Sequence, residues 1–128
     1  MGTGAISWSA KLQSVVAKST TEAEYIAASS AGSEMMWLRM FLSDLGSSFP
    51  SPSTLRVDNN SAVQVINNPE HHHRMKQLDV HFFWLRDAVE GKQLAIQHIP
   101  GAEQPADLLT KPLAAPIVLE HRRAIGLV

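Results

Sequence analysis

Three carboxylates in this chain stand where α/β proteins place their chemistry. Asp58 closes a predicted strand just before a breaker, Asn59-Asn60. Ligands in open α/β sheets bind outside the carboxyl ends of the strands. Glu24 falls in the first turn of the helix after the first predicted strand, and Asp107 in the first turn of a short helix after the last. Acids gathered at one sheet edge repel one another unless a cation neutralises them. Hard oxygen ligands suit Mg²⁺ or Mn²⁺. Two such ions about 4 Å apart can clamp both oxygens of an in-line phosphoryl displacement. Each acid also has a plainer role open to it. Glu24 can be the reciprocal partner of Thr21 in a capping box. Asp107 can be a favourable charge at a helix N-terminus, and Asp58 with its two asparagines can be a turn.

Several other side chains divide in the same way. Arg74, Lys76 and Lys111 can contact phosphates or be ordinary surface charge. His98 ends the last predicted strand, where it can assist proton transfer or product departure, or simply make a structural hydrogen bond. His71, His72 and His73 are adjacent in a loop and cannot easily face one ion together, so they read as solvated. Trp37 and Trp84 sit on helical stripes and are assigned to the core; Trp8 fits either core or an oligomer contact.

The elements that must position these residues follow from periodicity and punctuation. Ile6 and Trp8 alternate with small polar residues, which predicts a strand over 5–9. A long helix is predicted over 21–45, with Ser19/Glu22 and Thr21/Glu24 both fitting the capping box and Gly46 after its end. Ile26, Ser30, Ser33, Trp37 and Phe41 fall at helical spacing. Its middle is rich in Ala, Ser and Gly, and Gly32 there implies close packing or a bend. A Pro-containing loop leads to a strand over 54–58, with Leu55 and Val57 on one face. A short helix follows over 61–67, with Ala62, Val65 and Ile66 inward. A second substantial helix spans 76–90, with Leu78, Phe82, Leu85 and Val89 on one stripe and Gly91 closing it. A strand over 94–99, a short helix over 106–110 and a final helix over 116–125 complete the chain. Strands alternating with helices imply an α/β sheet with crossovers.

Composition bounds the answer. The 128 residues fit a single domain over 1–128, and 45% hydrophobic content supports a packed globule. Eleven Lys and Arg against twelve Asp and Glu exclude a strongly basic, sequence-blind nucleic-acid binder. The absence of cysteine excludes disulfides, Cys-ligated zinc and thiol catalysis. No run approaches the roughly 18 apolar residues of a membrane span, and no signal-peptide pattern opens the chain. An intracellular protein, cytoplasmic or nuclear, without a membrane partner is expected.

Four blocks carry a family resemblance. Ser19-Thr20-Thr21-Glu22-Ala23-Glu24-Tyr25-Ile26-Ala27 resembles the segment around the catalytic glutamate in the ribonuclease H domain of copia-type LTR retrotransposon Pol polyproteins. Val57-Asp58-Asn59-Asn60-Ser61-Ala62 is similar to that family's strand-end aspartate motif. Asn68-Pro69, then His72, Arg74, Lys76 and Asp79, resembles its loop-to-helix stretch. His98-Ile99-Pro100-Gly101 through Ala106-Asp107-Leu108-Leu109-Thr110-Lys111-Pro112-Leu113 resembles its closing aspartate segment, and Ile6-Ser7-Trp8-Ser9-Ala10-Lys11 is similar as well. The blocks run in family order over nearly the whole chain.

The resemblance implies an RNase H-like mixed sheet flanked by helices and cleavage of RNA in RNA–DNA hybrids. It implies two Mg²⁺ or Mn²⁺ ions held by four acids. Glu24, Asp58 and Asp107 match three of these as catalytic and metal ligands. Asn59, Ser61, Arg74, Lys76 and Lys111 are the expected substrate contacts, with His98 as an accessory group. Against the family pattern the chain opens at the third strand, so the first-strand aspartate that bridges both metals has no counterpart. Gln77 and Phe83 stand where the pattern often has His. A truncated sheet can be repaired by setting the 5–9 strand beside the 54–58 strand in a right-handed βαβ unit. It can also be repaired by strand pairing between two chains, which predicts a homodimer or larger oligomer. Two functions are therefore expected in competition: a Mg²⁺-dependent hybrid nuclease, or a catalytically inactive oligomeric binding or scaffold module. A third is complementation by a polypeptide that supplies the first two strands.

Overall fold

The computed structural model describes residues 4–68 and 79–127. Contacts gather into two compact units, Val15–His98 and Met1–Ser14 with Ile99–Val128. Their contents are mixed α and β, with four α-helices and a two-stranded parallel sheet among the described residues. No helix among them is long and apolar enough to cross a membrane.

The Val15–His98 unit begins with α1, Thr20–Asp44. Ser19 sits in extended backbone, and its hydroxyl accepts from the Glu22 N–H at 3.1 Å. One of the helix's orphan amides is thereby satisfied. The Glu22 carboxylate accepts in turn from the Lys18 N–H at 2.7 Å. Of the two boxes available in sequence, the Ser19/Glu22 pair marks the start. Thr21 is already inside the helix, and Glu24 stands in its second turn rather than its first. The far end closes on Gly46 at φ +88°, with Gly46 N–H donating to Ser43 O and Ser47 N–H to Leu42 O, both at 2.9 Å. This is the paired Schellman pattern, and the left-handed residue in it favours glycine.

The buried face of α1 is Tyr25, Ala28, Ser29 and Gly32. Trp37, placed in the core from its stripe, is instead 54% exposed and stacks on exposed Phe41 with ring centroids 5.5 Å apart. Ser30 and Ser33, on the same stripe, are exposed too. The small-residue face wins because it lets the helix backbone come close to its neighbours. A Cβ on Gly32 would lie 3.1 Å from both Leu85 Cδ1 and Leu94 Cδ1.

Arg39, on the second half of α1, straps the following loop in place. Its guanidinium donates to Phe49 O at 3.0 Å, Ser51 O at 3.0 Å and Ser53 Oγ at 2.8 Å, and it lies over the Phe49 ring. The strap fixes the entry to β1, Ser53–Val57. Leu55 and Val57 alternate inward as their spacing predicts. α2 spans Asn60–Asn67 and buries Ala62, Val63 and Ile66, with Val65 half-buried. α3 spans Asp79–Glu90 and buries Leu85 and Ala88. β2, Leu94–His98, then pairs parallel with β1 in the register Ser53–Leu94 through Val57–His98. Tyr25, Ala28, Leu55, Val57, Leu85 and Leu94 are central members of the core between these elements. Trp84 is half-buried against it, as placed from sequence.

The end of α3 departs from the usual chemistry. Lys92 N–H donates to Val89 O at 3.0 Å and Gln93 N–H to Ala88 O at 2.9 Å, so Lys92 occupies the left-handed position, at φ +55°. Gly91, predicted to close the helix, stands one residue earlier. A side chain in that conformation costs about 1 kcal/mol. Lys92→Gly is therefore expected to stabilise the fold by about 0.5 kcal/mol after the glycine's own entropy cost. The check is a higher urea midpoint at unchanged m value; a lower midpoint would contradict the assigned geometry.

The other unit holds short 3-10 turns at Gly101–Glu103 and Pro105–Leu109 and a final helix, α4, Ala115–Ala124. α4 also ends in a Schellman pattern, on Gly126 at φ +77°. The strand predicted over 5–9 does not form. Ile6 and Trp8 are 62% and 74% exposed, and Ala5 N–H donates to Ile125 O at 2.8 Å instead of to a strand. Two alternating apolar residues bury too little to hold a strand without a neighbouring ladder. The neighbour suggested for it, β1, takes β2 as its partner. The helix predicted over 106–110 is a 3-10 turn.

Candidate acidic site at the strand ends

Asp58 follows β1 directly and precedes the N-cap of α2, so its backbone is held from both sides. On one side Val57 is in ladder register with His98. On the other, Asn59 Oδ1 accepts from the Ala62 N–H at 3.0 Å. That bond explains the breaker seen in sequence: Asn59 is the cap, and Asp58 is the one residue between the strand and the cap. The Asp58 main-chain carbonyl is also bonded, since His98 Nε2 lies 3.2 Å from it. A carbonyl oxygen only accepts, so Nε2 carries the donated proton. Asp58 itself is half-buried.

Glu24 is half-buried in the same unit, one residue before fully buried Tyr25. The cap of α1 is made by Ser19 and Glu22. Asp107 belongs to the other unit, in the Pro105–Leu109 turn. Its side chain is 13% exposed, and its Oδ2 accepts from Lys111 Nζ at 2.9 Å. Its carbonyl accepts from the Thr110 and Lys111 N–H groups, which hold the turn closed. Lys111, expected at a phosphate, makes an ion pair with the third acid. The i,i+4 acid-to-base spacing is a legible signal for that pair.

Asn59 has its oxygen engaged in the cap, and Ser61 is exposed in the first turn of α2. Arg74 and Lys76 lie outside the described residues, as do His71, His72 and His73. Among the described residues, no three His, Asp or Glu side chains gather closely enough to hold a metal ion. The described residues do not by themselves make a metal centre.

Comparison with known proteins supplies the origin of the chain. Over 108 residues, 84% of its length, it is 46% identical to a retrovirus-related Pol polyprotein from transposon TNT 1-94 of Nicotiana tabacum. Its homologues are retrotransposon Pol polyproteins. Two further relatives, the retrovirus-related Pol polyproteins from transposons RE2 and RE1 of Arabidopsis thaliana, are 35% identical over 128 residues and 36% identical over 126. The chain spans only 8% to 9% of the length of these polyproteins. No family model matches it, and no solved structure matches it. The Pol-derived segment therefore includes all three candidate acids within a stretch of homology that, for the RE2 polyprotein, covers 100% of the chain.

Proposed function

We propose that this Pol-derived chain is part of a Mg²⁺-dependent endonuclease of the ribonuclease H type, acting on the RNA strand of RNA–DNA hybrids. The observation that carries the reading is the setting of Asp58. It stands at the carboxyl end of a parallel strand, where α/β sheets place ligands. Its flanking residues also resemble the strand-end motif of the copia-type nuclease domain. Glu24 and Asp107 are the other acids of the reading; an RNase H-like sheet is the fold that goes with it. Mg²⁺ is commonly held by one or two carboxylates plus substrate phosphates. The reading accordingly asks for acids acting together with the phosphates of a bound hybrid, and for no complete protein cage. Asn59, Ser61, Arg74, Lys76 and Lys111 are the proposed hybrid contacts.

The test is cleavage of a labelled RNA–DNA hybrid in Mg²⁺, and in Mn²⁺, by the chain and by Asp58→Asn. Wild type is expected to cut the RNA strand and the variant to lose the activity. Equal cleavage by both, or by neither, overturns the proposal.

One observation favours a second reading, a non-hydrolytic oligomeric module. β1 and β2 form a two-stranded sheet among the described residues, and a strand from another chain would extend such a small sheet. That reading expects a homodimer by light scattering and no hybrid cleavage; a monomer at all concentrations sinks it.

A further inference from the structure

We propose that His98 is a positioning residue for Asp58, and that it acts through the main chain rather than by proton transfer. The inference deepens the nuclease reading and rests on it, since it concerns the acid on which that reading turns. Parallel pairing sets His98 opposite Val57, at the last rung of the ladder. The imidazole then reaches one residue further along the neighbouring strand and donates from Nε2 to Asp58 O at 3.2 Å. The Asp58 carbonyl lies just beyond the last rung, where the chain passes from β1 to α2.

Three ties therefore bracket a single residue: the Val57 rung, the His98 donor and the Asn59 cap. Two of them are secondary structure that any strand-to-helix passage needs. The third is a side chain from the other strand, and the bonding partner it selects is the backbone of the candidate acid. A hydrogen bond at the carbonyl restrains the peptide unit, and with it the Cα–Cβ direction of Asp58. Site acids need this kind of support, because supporting hydrogen bonds orient the group that ligates. His98 is exposed, so the bond is not a by-product of filling the core.

The proposal is tested on the full chain with His98→Ala and His98→Gln. Glutamine places an N–H donor close to the position of the imidazole Nε2, whereas alanine removes it. The readout is the Asp58 side-chain rotamer from NMR scalar couplings, together with the urea midpoint. A positioning role predicts one dominant Asp58 rotamer in wild type, averaged couplings in His98→Ala and recovery in His98→Gln, with similar midpoints in all three. Unchanged Asp58 couplings in His98→Ala overturn it. So does a loss of order in both variants, which would make the ring a general structural element. Failure of the underlying reading is seen separately, as hybrid cleavage by Asp58→Asn equal to wild type.

Discussion

Raising the pH to 11 is expected to leave Tyr25 protonated in the folded protein while destabilising the fold by about 1.4 kcal/mol. Tyr25 is the only tyrosine in the chain, so tyrosinate absorbance reports it alone. Its side chain is fully buried between α1 and the rest of the core. Burial pushes the phenol well above the usual tyrosine range, and the Arg86 guanidinium opposes that shift by less. The sign follows from linkage. In the unfolded chain the phenol titrates near its ordinary value of 10.0. In the folded chain it stays neutral to higher pH, so its contribution is complete below about pH 10. Above that value it is lost at about 1.4 kcal/mol per pH unit until the folded phenol also ionises. Tyrosinate should appear only together with cooperative loss of circular dichroism. Tyr25→Phe should flatten the alkaline limb, and Tyr25→Ala should cost about 3–5 kcal/mol at neutral pH. A smooth tyrosinate titration centred near pH 10 in a protein that is still folded would falsify the placement.

Adding bulk at Gly32 is expected to produce the second large effect. In an exposed helix interior Gly→Ala gains about 1 kcal/mol. Here the new Cβ would stand 3.1 Å from the ends of Leu85 and Leu94 and 3.4 Å from Trp84 Cζ3. Leu85 and Leu94 are 0% and 1% exposed, so neither has solvent to retreat into. Overpacking of this kind costs about 1–3 kcal/mol. Gly32→Ala is expected to lose about 1 kcal/mol net, and Gly32→Val, with two more carbons and a stiff χ1, about 3 kcal/mol. Urea midpoints measure both. Shortening the opposing side chain supplies the control: Gly32→Ala with Leu94→Val should cost less than the sum of the single changes, because the two sites share one volume. Additive costs would place the strain elsewhere.

These two positions also mark where the sequence was legible. Three helix ends were readable because they are written in local chemistry: Ser19 with Glu22, Gly46 and Gly126 act where their residue types predict, whereas α3 closes on Lys92 and not on Gly91. The inward pair Leu55 and Val57 and the strand predicted over 94–99, which forms as Leu94–His98, followed from two-residue alternation. The face of α1 was not legible. Its largest apolar residues suggested one stripe, but contact distance favoured the small one, which only the partner helix and sheet can decide. The strand over 5–9 failed for the same reason, since a strand is defined by its neighbour. In the site, Asp58 at a strand end was visible from the breaker beside it. The Arg39 strap and the His98 bond to Asp58 O join residues distant in sequence, and nothing local announces them.

The parallel register of β1 with β2 has a kinetic consequence. Ser53 and Leu94 are paired although about forty residues separate them. α1, by contrast, is a 25-residue helix with all its bonds local and both ends capped. Helices of this kind relax within about a microsecond, whereas a long-range parallel rung must first close its loop. The order of events is thus built into the topology: helices first, the sheet last. A change at Val57 or Leu94 should accordingly show itself in the unfolding rate, and loss of the Ser19 cap in the refolding rate.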